Sequence, residues 1–278
     1  MPPRLVDTHC HLDDPRFHGD LPAVLDRAAA AGVVRIYCIG TDLASSRAAL
    51  ALARSHAVLA TVVGLHPNSI AEAAPGDWDA IVELARRPDV VGIGESGLDR
   101  HWDKTPFPIQ EDYFARHLAL ARACEKPIVI HNREADADTV RLLRDDYERS
   151  GPIRGILHSC AADAATVGAC LAMGLHISFS GMLTYKNADA IRAVAATVPD
   201  DRLLIETDAP YLSPQPVRGL RNEPAFVAYT AARLAAIRGV AVEVLGEMTS
   251  RNAFELFEQV RPGSNGRFFP FPCVTPAV

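Results

Sequence analysis

A chain of 278 residues, 49% hydrophobic and 22% charged, is long enough to bury a large core without disulfide or metal staples, and it fits one α/β barrel domain better than two small domains. A formal net charge of −6 excludes a global attraction to nucleic acid, so a polyanionic substrate would have to be held by local cations and metal ions. Six cysteines without a CxxC pair exclude a zinc knuckle and a small disulfide framework.

Short apolar, β-branched runs alternate with amphipathic stretches along the chain, which is the pattern of parallel βαβ units. Eight runs predict strands at 4–9, 33–39, 58–65, 90–95, 127–131, 154–158, 175–180 and 203–208. Helices are predicted at 20–31, 44–55, 77–86, 110–124, 134–149, 163–172 and 187–197, with another near 223–238, where Asn222 is a candidate cap. Eight strand–helix units predict an α/β fold of the (β/α)8 TIM-barrel type in a single domain, residues 1–260. An open doubly wound sheet is the alternative, but no GxGxxG follows the first strand. Residues 241–258 predict a further helix with Ala253, Leu256 and Phe257 on the face packed against the barrel wall, and 261–278 an irregular tail rich in Pro, Gly and Phe. Residues 1–6 carry one arginine and no long apolar run, and nothing approaches a membrane span, so the expected location is cytoplasmic with reduced thiols.

Barrels of this kind form their sites at the C-terminal ends of the strands, and those ends are rich in donors here. Strand one finishes in Asp7-Thr8-His9-Cys10-His11, where the two histidines share a face because alternate side chains of an extended segment do. His131 and His158 end strands five and six, Glu95 ends strand four and Asp208 strand eight. Four histidines and two acids exceed one tetrahedral ion but suffice for two, with Glu95 in the middle of the ring as the natural bridge. A single histidine at a strand end is more often a packed rim residue than a ligand; six donors at predicted strand ends weaken that reading greatly. Imidazole and carboxylate together suit Zn²⁺, Mn²⁺ or Fe²⁺, and a site richer in water and carboxylate also admits Mg²⁺, so the ligand set does not choose among them.

The ordered set DTHCHL, GLHP, GESGLD, KPIVIHNR and LLIETDAPYL resembles the TatD family of metal-dependent deoxyribonucleases, within the amidohydrolase-like barrels, over roughly residues 5–258. The resemblance implies that His9, His11 and Asp208 hold one divalent ion, that His131 and His158 hold the other, and that Glu95 bridges them. It sets His66 of GLHP close to the scissile group. It also implies hydrolysis of phosphodiester bonds in DNA, often by trimming single strands from the 3′ end. The chain departs from the family after His158, where Ser159-Cys160-Ala161-Ala162 replaces the usual aromatic and Ser/Thr-Gly stretch, which bears on how substrate sits.

On this reading a metal-activated water attacks phosphorus, Asp208 is the candidate general base and His66 a phosphate contact or proton donor. Arg133, just past a ligand, and Lys186, near the end of strand seven, are candidate phosphate contacts, with surface solvation as the plain alternative for both. Glu206, Asp7 and Asp99 are candidates to brace the ligands from behind, a loop cap being an equal reading for Asp99. Trp102 is either a stacking face for a base or a buried loop anchor. DNA or an oligonucleotide is the expected partner, with neither membrane nor obligate protein partner. Two other functions use the same barrel: a metal-dependent esterase or amidohydrolase on a small carbonyl substrate, and a nucleic-acid-binding protein without catalysis. Loss of ligands would mark the latter, and none is lost.

Overall fold

A computed structural model describes residues 2–102 and 104–258; the tail expected at 261–278 lies outside the described residues. Eight strands form one parallel sheet in sequence order: β1 (Leu5–Cys10), β2 (Val33–Ile39), β3 (Leu59–Val63), β4 (Val90–Asp99), β5 (Ile128–Arg133), β6 (Gly155–Leu157), β7 (His176–Phe179) and β8 (Leu203–Ile205). The fold is the expected TIM barrel. Helices α1 (Leu21–Ala30), α2 (Leu43–Ser55), α3 (Asp77–Ala85), α4 (Phe107–Ala123), α5 (Asp136–Ser150), α6 (Ala164–Ala172), α7 (Asp189–Ala195) and α8 (Val227–Arg238) follow the strands in turn, and α9 (Val242–Glu258) ends the described chain. No single described helix is long and apolar enough to cross a membrane.

Strand alternation divides the apolar residues between two layers. Ile36, Cys38, Ile128, Ile130, Leu203 and Ile205 face outward into the cluster shared with the helices. Val6, Tyr37, Val62, Val129, Ile156 and Leu204 face inward. Ala253, Leu256 and Phe257 of α9 join that inner cluster, with Phe257 stacked on Tyr37 at 4.0 Å between ring centroids. The last helix therefore packs its apolar stripe onto the interior layer rather than only against the outer wall, and each aromatic buried there contributes about 2–3 kcal/mol.

The seam between the first and last strands is not a ladder. β8 stops at Ile205, and closure comes from a single parallel bridge, Cys10 to Ala209. Around it the amide of His11 donates to Ala209 O at 2.7 Å, and that of Asp208 to His9 O at 2.9 Å. Asp7 completes the clasp: its carboxylate accepts from the Thr207 amide at 2.9 Å, the Thr207 hydroxyl at 2.6 Å and the His9 amide at 3.3 Å. Burial nevertheless pushes its acid up to about 8, against those hydrogen bonds. Asp7 thus holds the strand that carries the histidine pair to the segment that carries Asp208.

β4 runs four residues past its expected end at Glu95. Beyond a register shift between Ile93 and Ser96, it pairs Gly97 with His131 and Asp99 with Arg133. Gly97, at φ +145°, permits this: a Cβ there would fall 2.0 Å from His131 O. Gly64 of GLHP also packs closely on Gly94, whose carbonyl carbon would lie 2.6 Å from an added Cβ. Strands six and eight end sooner than expected, so His158 and Asp208 stand on the loops beyond them.

Candidate metal centre

Six donors from β1, β4, β5 and the loops after β1, β6 and β8 converge at the C-terminal mouth of the barrel, in two groups. In the first, His9 Nε2 and His11 Nε2 lie 3.2 Å apart, and Asp208 Oδ1 is 3.6 and 3.5 Å from them. In the second, His131 Nδ1 and His158 Nε2 lie 3.4 Å apart, with Glu95 Oε1 at 3.0 and 2.8 Å. The other oxygen of Glu95 reaches the first group, 3.3 Å from His9 and 3.8 Å from His11. Donors about 2.1 Å from a tetrahedral ion are about 3.4 Å apart, so both groups fit one divalent cation each. The rings of His9 and His158 bring the groups together, stacked at 4.0 Å and nearly parallel.

The charges are arranged to favour cations. Burial opposes ionisation of Glu95, but the surrounding histidines, His158 foremost, outweigh it and hold the carboxyl well below its usual range. Burial likewise opposes charge on His158, yet Glu95 and Glu206 on its two nitrogens hold the ring well above the ordinary histidine value. For His11, Asp208 and Glu95 outweigh burial and lift it to about 9. Asp208 is held low against burial by the His11 hydrogen bond and the nearby His9. It stands at φ +59°, a left-handed conformation that Asp tolerates better than most residues.

A second layer of acids fixes the rings. Glu206 takes the far nitrogen of His158, Nδ1, at 3.1 Å; its other oxygen and His9 Nδ1 are buried without a protein partner. Asp99 does both things expected of it as alternatives. One oxygen meets His131 Nε2 at 3.0 Å and the Asn68 amide at 2.9 Å, and the other accepts from the backbone amides of His101 and Trp102. Trp102 is half exposed, so the buried-anchor reading fails.

His66 lies beside the second group, its Nε2 3.5 Å from Glu95 Oε1. Its Nδ1 accepts the backbone N–H of Asn68 at 3.0 Å, and burial drives its pKa down to about 3. A neutral ring whose Nδ1 accepts carries its proton on Nε2, which makes that nitrogen a donor rather than a ligand. Arg133 is exposed at the end of β5, with no side-chain hydrogen bond or ion pair among the described residues. Lys186 lies past the end of strand seven rather than beside it. β7 stops at Phe179, a helical turn at Gly181–Thr184 intervenes, and Lys186 is exposed on the loop beyond. Asn222 does not cap α8, which begins after a short turn at Pro224–Phe226. Its side-chain amide donates to the carbonyls of Thr207 and Tyr211, pinning the loop that carries Asp208.

One residue that shapes the site carries no signal in the sequence. His117, buried on α4, accepts the Leu65 amide on Nε2 at 3.0 Å and bonds Tyr113 O through Nδ1 at 2.6 Å, and so holds the GLHP loop. Set mid-helix, it reads in the sequence as an ordinary face residue. Burial lowers it to about 4, as it does His176 of β7. Both folded values lie below the unfolded 6.5, so the unfolded chain binds more protons between pH 6.5 and 4, and stability present above 6.5 is lost as pH falls toward 4. Each group is expected to steepen that loss by up to about 1.4 kcal/mol per pH unit. Urea unfolding of His117→Gln from pH 7 to 5 is expected to show a slope shallower by about one proton; a slope equal to wild type would remove this role.

A histidine–carboxylate cluster of this geometry at the C-terminal mouth of a (β/α)8 barrel defines the class as metal-dependent hydrolases. The family model for TatD related DNases matches residues 6–258, and the chain belongs to that family. It is 39% identical over 253 residues to the uncharacterized metal-dependent hydrolase YabD of Bacillus subtilis, covering 91% of this chain and 98% of that one. It is 35% identical over 261 residues to the 3′-5′ ssDNA/RNA exonuclease TatD of Salmonella typhimurium, covering 92% and 100%. The crystal structure of the TatD homologue YjjV from Escherichia coli superposes with a TM-score of 0.86 at 30% identity, covering 93% of this chain and 99% of the other.

Proposed function

We propose that the chain hydrolyses phosphodiester bonds in DNA, trimming single strands from the 3′ end, with two divalent ions, Mg²⁺, Mn²⁺ or Zn²⁺, as its cofactors. The observation that carries this reading is Glu95, one oxygen in each donor group. His9, His11 and Asp208 would hold one ion, and His131 and His158 the other. Bound there, the ions supply Lewis acidity and a water acidified toward neutral pH. Asp208, ionised and at the mouth, accepts the proton of the attacking water. His66, neutral with its proton on Nε2, donates to a non-bridging phosphate oxygen, and Arg133 meets the same phosphate from the rim. Asp99 and Glu206 keep His131 and His158 in the required orientation. The Salmonella relative, by its name an exonuclease on single-stranded DNA and RNA, supports the choice of substrate. Free thiols at Cys10, Cys38, Cys124, Cys160 and Cys170 suit a cytoplasmic setting.

The test uses end-labelled single- and double-stranded oligonucleotides beside a panel of carboxylic esters and amides, with each metal in turn. Metal-dependent shortening of single strands from the 3′ end, abolished by chelation and restored by metal, is the expected result. Turnover confined to the carbonyl panel would overturn the phosphodiester reading, and binding of DNA without cleavage would overturn catalysis.

A further inference from the structure

A cleft of about 550 Å³ opens on the rim between the loop after β7 and helix α8, in the size range of small-molecule sites. We propose that this cleft binds the nucleotides of a single strand that lie next to the scissile diester, holding their phosphates and stacking their bases; the proposal rests on the phosphodiester reading above. The lining carries two tyrosines and three cations, Tyr185, Tyr229, Lys186, Arg192 and Arg233, and no acidic residue. In a chain of net charge −6 that balance is local. It supplies what an unpaired strand needs, cationic contacts for its backbone and flat rings for its bases.

The cations divide by role. Arg192 is committed to the fold: its guanidinium donates to the carbonyls of Leu183, Tyr185 and Lys186 and to Asp189, which shapes the loop. Lys186 and Arg233 are exposed, with no side-chain hydrogen bond or ion pair among the described residues, and so remain open to phosphate. Tyr185 lines the cleft on the side of the loop after β7. Arg218 covers its ring at 4.0 Å, and its phenol, raised first by burial, also senses the Asp208 carboxylate. A second capped tyrosine stands beside the donor groups. Tyr211 is half exposed, lies 6.1 Å from the His11 ring, and carries the Arg16 guanidinium at 4.5 Å. The loop that follows Asp208 reaches the cleft, because Gln215 lines it and the Gln215 amide donates to Thr184 Oγ1 at 2.7 Å; the proposal sets Lys186, on the loop beyond the turn that follows β7, against a phosphate beside the scissile one.

The experiment measures kcat and KM on oligothymidylates of two, four and eight nucleotides, over a range of salt, with the metal-loaded enzyme. For wild type, KM is expected to fall about tenfold with length. For the double variant Lys186→Glu, Arg233→Glu, the length advantage is expected to vanish, with KM for the octamer rising about tenfold and kcat holding. The salt dependence of log KM is expected to be shallower by about 1.4, or about 0.7 for each phosphate no longer neutralised. Tyr229→Ala is expected to raise octamer KM about tenfold, while Tyr229→Phe, which keeps the ring, restores it. Arg144→Glu with Arg149→Glu on α5, which makes the same change of −4 in net charge, is the control for charge alone. Wild-type cleavage of oligonucleotides with unchanged KM, length dependence and salt slope in the variants would overturn the cleft and leave the phosphodiester reading standing. A wild type that cleaves no oligonucleotide of any length, while hydrolysing carboxylic esters, would overturn both.

Discussion

Glu95→Gln is expected to lower turnover by about 10⁴-fold or more and to strip metal from both donor groups at once, because its two oxygens lie one in each. The amide keeps the volume and can still accept one hydrogen bond, so the change isolates the charge. Its effect also reaches the protein without metal. Glu95 is the buried anion facing His9, His66, His131 and His158, and its removal leaves raised imidazoles such as His158 short of their main counter-charge. Breaking a buried ionic arrangement from one side costs about 3–5 kcal/mol. Unfolding in chelator is therefore expected at markedly lower temperature than for wild type, and added metal should recover little of the difference. Elemental analysis after dialysis, an oligonucleotide assay and thermal unfolding with and without metal check the three parts. Metal content and turnover within tenfold of wild type would show that Glu95 does not join the two groups.

What the sequence makes legible follows from the physics of each signal. Barrel strands buried on both faces are nearly continuous apolar runs, so all eight can be found, and polar residues interrupting their C-terminal ends stand out as His9, Glu95 and His131 do. Their lengths are not legible. The extension of β4 to Asp99 depends on Gly97 lying against the His131 carbonyl, an approach of distant segments that no local pattern carries. The shortness of β8 depends on the seam, where Asp7 and Thr207, 200 residues apart, replace a ladder. How far Lys186 stands beyond strand seven is not legible, because the helical turn inside the loop after β7 is too short for periodicity to register. His117 stays hidden because a helix histidine that caps a neighbouring loop obeys the same spacing as any buried face residue. The inner packing of α9 is only half legible for the converse reason: the apolar stripe of Ala253, Leu256 and Phe257 is plain, but a stripe states only that something is covered.

Asp208→Asn is expected to reduce turnover by about 10³- to 10⁴-fold while leaving the barrel intact, and the backbone explains why this variant is informative. At φ +59° the position tolerates Asn as well as Asp, so the substitution adds no strain, whereas Asp208→Ala would add about 1 kcal/mol of it. The backbone duties also survive: the amide donates to His9 O, and the Tyr211 amide still bonds the carbonyl of residue 208. What disappears is the negative charge that lies 3.6 and 3.5 Å from the two imidazoles, His9 and His11, and can receive a proton at the mouth. A missing ligand alone would weaken one ion and be offset by raising the metal concentration; a missing base as well would leave kcat low at saturating metal. The decisive measurement is therefore oligonucleotide turnover by Asp208→Asn across a metal titration, with unfolding temperature recorded in chelator. Low kcat at saturation with near wild-type stability is the expected outcome. Full recovery of kcat at high metal would reduce Asp208 to a ligand, and unchanged turnover at ordinary metal would remove it from the site altogether.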